Sequence, residues 1–158
     1  MGELLTNYPL MAALSAIVFA QVIKVPIHLI FAREFVPGLV FGTGSMPSSH
    51  TAAVSALTTA IGIAEGVATP LFAAAFVFSV IIMFDASGVR REAGEHAIIL
   101  NLLVRDFKML KEGAQDWAEK EEYEKIAELK TLLGHKPSEV FVGAICGVSI
   151  AFILQAFF

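Results

Sequence analysis

The sequence predicts an all-α fold: a polytopic membrane helix bundle of about four transmembrane helices, with a partly embedded helix and a cytoplasmic helical hairpin attached. Three observations predict it. The chain of 158 residues is 56% apolar and only 16% charged, where a soluble domain carries about a quarter charged residues. Its uncharged residues gather in four blocks, Tyr8–Ile23, Thr51–Ala64, Gly66–Phe84 and Val140–Phe158. A spanning helix needs ~20 largely apolar residues to cross a ~30 Å hydrocarbon core. The first, third and fourth blocks meet that length with their flanks, and the second meets it only if its helix starts near Ser48. Residues 1–158 then form a single integral membrane domain, with a cytoplasmic helical insertion at about 105–136.

Taken in order, the first helix is expected over Leu4–Ala32, with Pro26 kinking it near the far end. Without a basic n-region or a clear cleavage site, this block reads as a retained helix rather than a signal peptide. A loop with Gly and Pro covers Arg33–Met46. The second helix covers Ser48–Ala64, with Pro47 on its approach and Ser48 or Ser49 as its cap. Glu65-Gly66 turns the chain into a third helix over Ala68–Phe84. A polar region, Asp85–Lys136, follows, and the fourth helix runs from Pro137-Ser138 to the C-terminus.

Inside the polar region, Ala97–Val104 is apolar apart from Asn101, and eight residues are too few to span. A helix over about Arg91–Lys111, partly in the membrane or against the bundle, accounts for it. The alternative is a fifth full span. Gln115–Leu133 alternates Glu and Lys, with Asp116/Lys120 and Glu121/Lys125 at i,i+4 and a narrow apolar stripe of Trp117, Ile126, Leu129 and Leu133. This is either a solvated hairpin packed on the bundle or a partner-binding surface. Gly134 and Pro137 stop it, and His135 at that stop reads as a C-terminal cap.

Orientation follows from the basic residues. Of the eleven Lys and Arg, Lys24 and Arg33 end the first helix and the other nine lie between Arg90 and Lys136. The positive-inside rule places the 33–47 loop and the 85–136 region in the cytoplasm and both termini on the opposite side. The surrounding partner is membrane lipid, and no nucleic-acid partner is expected. Cys146 stands alone, which excludes a disulfide framework and a cysteine-based metal site. No His-Glu-x-x-His pattern occurs, and neither metal nor another cofactor is expected. Gly143/Gly147 and Ala52/Ala56/Ala60 form small-residue faces. Such faces pack helices closely, within one chain or in a homo-oligomer.

Two polar islands could carry chemistry: Met46-Pro47-Ser48-Ser49-His50, and Asp85-Ala86-Ser87-Gly88-Val89-Arg90-Arg91-Glu92-Ala93-Gly94-Glu95-His96. The first opens a helix whose free N–H groups and dipole attract an anion, and Gly42-Thr43-Gly44 lets backbone approach a ligand. An ordinary capped helix with a histidine in its first turn explains the same residues. Arg90 and Arg91 suit bidentate phosphate binding or simple interfacial anchoring. Asp85, at a helix C-terminus, calls for a cationic or imidazole partner. His96 on a helix with Glu92 suits a nucleophile or an acid–base group, or a surface histidine. Lys24 and His28, one turn apart, flank a site or snorkel.

The order Lys24, Met46-Pro47-Ser48-Ser49-His50, Asp85–Arg91 with Ala93-Gly94, then Leu133-Gly134-His135-Lys136-Pro137 resembles the divergent type 2 phosphatidic acid phosphatase family, related to acid phosphatases and vanadium haloperoxidases. That superfamily has three motifs: a lysine followed by Arg-Pro, which holds phosphate; Pro-Ser-Gly-His, whose histidine protonates the leaving group; and Ser-Arg, five residues, a nucleophilic His, then an orienting Asp four residues on. The resemblance implies His50 as general acid, Ser48 and Arg90 as phosphate binders, His96 as nucleophile and Lys24 as the first motif's lysine. Ser49, beside His50, and Arg33 and Arg91 join the substrate-binding set, and Asp85 is the candidate substitute for the orienting acid. The chain departs from the pattern at Ser49 for Gly, Val89 for Ser and Leu100 for Asp, and no Arg-Pro follows Lys24.

The expected function is a membrane-embedded phosphatase of lipid phosphates or pyrophosphates, isoprenoid ones included, working through a phosphohistidine. The alternative is a non-catalytic protein that binds or moves anionic lipid. A third reading is a scaffold recruiting a partner through Gln115–Leu133.

Overall fold

The computed structural model describes residues 2–42, 44–113 and 134–158. Among them every regular element is helical: α1 (Gly2–Leu5), α2 (Tyr8–Ala32), α3 (Ser49–Ala64), α4 (Pro70–Ser87), α5 (Val89–Gly113) and α6 (Pro137–Gln155), with a 3-10 turn at Pro37–Phe41. The hairpin expected over Gln115–Leu133 lies outside the described residues.

Local chemistry sets the boundaries. Asn7 accepts from the Leu10 N–H, so the expected single first helix is split into α1 and α2. Pro9 sits in the first turn of α2, where its missing N–H costs nothing. Pro26 does not end the helix, which runs six residues further and closes on Arg33 in the left-handed region. Ser48, rather than Ser49, caps α3, its hydroxyl accepting from Thr51 N–H. Thr69 caps α4 in the same way. Gly88 bends α4 into α5, and a Cβ there would meet the Phe84 carbonyl at 2.9 Å.

The chain is an integral membrane protein, with large apolar side chains facing outward, Phe31, Phe78, Phe84 and Phe141 among them. Among the described residues three helical runs, Tyr8–Ala32, Pro70–Phe107 and Pro137–Gln155, are long and apolar enough to cross a membrane. The second expected span is α3, and its 16 residues make a rod of only ~24 Å. It is also the most enclosed element, packed by α2, α4 and α6. Protein therefore shields what the short helix could not present to lipid. Thr51, Ser55 and Thr58 are buried along it. Thr58 and Ser79 share a hydrogen bond of 2.7 Å, and Ser79 reaches the Val54 carbonyl, which ties α3 to α4. Such polar contacts are worth ~0.6 kcal/mol each in a bilayer.

The centre is built from small residues at a spacing of four. Tyr8, Ala12, Ala16, Ala20 and Lys24 form one buried face of α2. Ala52, Ala56 and Ala60 on α3, and Gly143, Gly147 and Ala151 on α6, form the facing ones. A Cβ on Gly147 would collide with the Ala52 carbonyl and one on Gly143 with the Ser48 carbonyl. The small-residue faces seen in the sequence thus meet each other within one chain. Tyr8 Oη donates to the Ala151 carbonyl at 2.8 Å, so both termini share one end of the bundle. The starts of α3 and α6 and the junction of α4 with α5 share the other.

Replacing Gly147 by Val forces backbone apart. It is expected to cost about 3 kcal/mol or more, read as a lower thermal unfolding midpoint in detergent. Gly38→Ala, with nothing within 4 Å of a new Cβ, should leave that midpoint unchanged.

Candidate active site

The end of the bundle opposite the termini gathers polar groups from four helices. Two backbone hydrogen bonds do the gathering. Ser48 N–H donates to the Glu139 carbonyl at 3.0 Å, joining the starts of α3 and α6. His135 N–H donates to the Ala86 carbonyl at 2.8 Å, joining the approach to α6 to the end of α4. The two polar islands therefore do lie at one end.

At their junction stands His135, 2% exposed. Its Nδ1 is 3.1 Å from Glu139 Oε2, one helical turn on. The same carboxylate oxygen accepts from Lys136 N–H at 3.1 Å, so Glu139 also caps α6. A carboxylate on Nδ1 makes that nitrogen the donor and leaves the lone pair on Nε2. Nε2 is buried and has no hydrogen-bond partner among the described residues. The ring of His50, in the first turn of α3, lies edge-on to that of His135 with centroids 6.2 Å apart. One histidine is buried and oriented, and the other is exposed beside it.

Lys24 completes the end of the α2 stripe. It is fully buried, and its Nζ donates to the Gly42 carbonyl at 2.9 Å, holding the loop before α3 over the site. Glu139 acts on it through space. Ser48 is fully buried too, its hydroxyl accepting from both Thr51 N–H and Thr51 Oγ1. Ser49 and His50 open on a cavity of about 300 Å³ between α2, α3 and α4, whose other walls are Ile17, Gln21, Ala53, Val54 and Ile82.

The remaining candidates stand elsewhere. Asp85 is half-buried in the last turn of α4, next to the residue that holds the His135 backbone. Arg33 is exposed at the C-cap of α2. His96 and Arg91 are exposed on α5, which packs on no helix but α4 among the described elements. Arg91 Nε pairs with Glu95 at 3.1 Å, a solvent-facing pair of small worth. The side chain of Arg90 lies outside the described residues. Among the described residues no three His, Cys, Asp or Glu side chains are placed to hold a metal ion.

His135 and Glu139 are the pair that sequence reasoning passed over. The signal was present: an acid stands four residues after His135, the spacing of the nucleophile and its orienting acid, whereas Leu100 stands four after His96. The helix stop around Gly134 and Pro137 hid it, because a histidine there reads as a cap. Gln21 was also passed over, although it is the one amide within the block Tyr8–Ile23.

Residues 5–150 match the Divergent PAP2 family. The chain is 51% identical over 156 residues to the uncharacterized membrane protein YuiD of Bacillus subtilis (strain 168), covering 99% of each. No solved structure matches it. With a family match over nearly the whole chain, and a membrane bundle that brings a helix-starting histidine beside a carboxylate-oriented one, the chain belongs to the Divergent PAP2 family of phosphatase-related membrane proteins.

Proposed function

We infer that the protein is a membrane phosphatase acting on a lipid phosphate or pyrophosphate. The observation that carries this reading is the His135–Glu139 pair with His50 at 6.2 Å. Nucleophilic histidine chemistry needs a nitrogen with a free lone pair, held by a group on the other nitrogen. It also needs a second acid–base group near the same phosphorus. His135 Nε2 attacks phosphorus, and the bond to the ester oxygen breaks. His50, as imidazolium, gives its proton to the departing alkoxide. Glu139 offsets the charge on the phosphorylated His135 ring. Neutral His50 then takes a proton from water, whose oxygen attacks phosphorus. The N–P bond breaks, phosphate leaves, and both rings return to their starting states. Lys24 and the N-terminal end of α3 supply positive potential where charge develops. Arg33, Arg91 and His96 serve the outer, water-facing side of the headgroup, Arg90 is kept as a phosphate binder on the family resemblance, and Asp85 supports the His135 loop through the end of α4.

A second reading, binding of a phosphate lipid without hydrolysis, is favoured by one observation. Arg91 of α5 is paired with Glu95 on a helix that, among the described elements, packs only on α4. Part of the phosphate clamp is then not closed around the histidines.

Phosphate release by the purified protein from a panel of lipid phosphates and pyrophosphates tests both readings. His135→Ala and His50→Ala are each expected to lower turnover by about a hundredfold or more, and His96→Ala by much less. Full turnover in His135→Ala would remove it as nucleophile. Tight lipid binding without turnover in the wild type would establish the second reading.

We further propose, from the distribution of basic residues, that this site faces the cytoplasm. In a Cys146→Ala background, Phe41→Cys in the exposed loop before α3 should react with a membrane-impermeant maleimide only after permeabilisation. Labelling of intact cells would reverse the orientation.

A further inference from the structure

The bundle helices α2, α3, α4 and α6 carry few acids. α2 and α3 have none, α4 has Asp85 and α6 has Glu139. An ionisable side chain in a membrane helix is costly and calls for a specific partner. Glu139 has its partners, His135 Nδ1 and the Lys136 N–H, both at 3.1 Å. Asp85 stands in the last turn of α4, where the helix dipole is unfavourable to a carboxylate. The backbone groups left over at that end are carbonyls, which offer it no donor. The position therefore requires a cationic or imidazole partner.

Contacts on either side of Asp85 fix its surroundings. Ile82, one turn before it on the same side of α4, lines the cavity that His50 also lines. Ala86, the next residue, accepts from the His135 N–H at 2.8 Å. The His135 ring in turn lies edge-on to that of His50. Asp85 is thus bracketed by a residue that shares a cavity with His50 and a residue bound to the histidine beside it. It is half-buried, and His50 is exposed on the first turn of α3 at the same end.

We propose that Asp85 is the carboxylate partner of His50 and holds its ring as the proton donor of the site. The inference rests on the phosphatase reading and adds a positioning residue to it. The Asp85 carboxylate accepts one ring N–H of the His50 imidazolium and aims the other N–H at the ester oxygen. When the P–O bond breaks, that second proton passes to the departing alkoxide. The ring is left neutral and Asp85 stays ionised. Each histidine then has its own acid, Glu139 for the nucleophile and Asp85 for the donor. The acid that the sequence offers for the nucleophile serves its neighbour instead.

The contact is tested without turnover. In a Cys146→Ala background, His50→Cys combined with Asp85→Cys is expected to be bridged by dibromobimane, which fluoresces once both thiols have reacted. His50→Cys combined with Phe84→Cys, at a side chain that faces outward, should not be bridged. The role is tested by leaving group. Asp85→Asn is expected to lower turnover of an alkyl phosphate by about a hundredfold, the contribution of a general acid. p-Nitrophenyl phosphate, whose leaving group departs without a proton, should be turned over nearly as before, which also shows that the variant folds. Asp85→Glu should recover part of the alkyl phosphate rate. In His50→Ala, Asp85→Asn should cost nothing further, because residues that act as a unit are not additive. Absence of bridging, equal losses for the two esters, or an Asp85→Asn loss that persists in His50→Ala each overturns the partnership and spares the phosphatase reading. Bridging without wild-type turnover of either ester overturns the phosphatase reading and the donor role with it, and leaves only the contact.

Discussion

The close approach of α2, α3 and α6 is the constraint on which the rest depends. Lipid is as apolar as any leucine, so these helices gain little from burying hydrocarbon against each other. Contact must come from backbone coming near backbone, and only Ala and Gly at every fourth position allow it. Gly143 and Gly147 lie directly over the Ser48 and Ala52 carbonyls, with no room for a side chain. That approach brings the first turn of α6 against the first turn of α3. The Ser48 N–H to Glu139 carbonyl bond is its direct product, and the proximity of His50 to His135 follows from it. Larger residues on these stripes would part the two helix starts and with them the two imidazoles.

Electrostatics at that end follows from the same geometry. Lys24 is the last residue of the α2 stripe that begins with Tyr8, so the packing that buries the alanines buries an ammonium. A buried cation is costly unless it is paired or bonded. The Gly42 carbonyl and the field of Glu139 meet that need, and in doing so hold the loop that leads into α3. Glu139 has a second role through Nδ1 of His135 and a third as the cap of α6. One carboxylate thus links a lysine, a histidine and a helix terminus taken from different parts of the chain.

The short α3 gains its place from this arrangement. A helix of 16 residues carrying Ser and Thr along its length is a poor lipid-facing span. Enclosed by three longer helices, it exposes its N-terminal turn to the site and Thr58 to the Ala75 carbonyl of α4. The cavity between α2, α3 and α4 forms where its small Ala53 and Val54 face α2 across Ile17 and Gln21.

The sequence alone determined the membrane class, the all-helical fold and the common end of the two polar islands. Those rest on block length, on Pro, Ser and Gly punctuation and on the number of crossings, all of which are local or additive. Ser48-Ser49-His50 was legible as a helix start because capping is local. The pairing of His135 with Glu139 was written in the sequence as a spacing of four, yet Gly134 and Pro137 gave the histidine a simpler local reading. Only the tertiary structure decided which histidine stands beside His50. That choice turns on which helices can touch, and contact between α3 and α6 depends on glycines nearly a hundred residues from the alanines they meet. No local pattern records that distance.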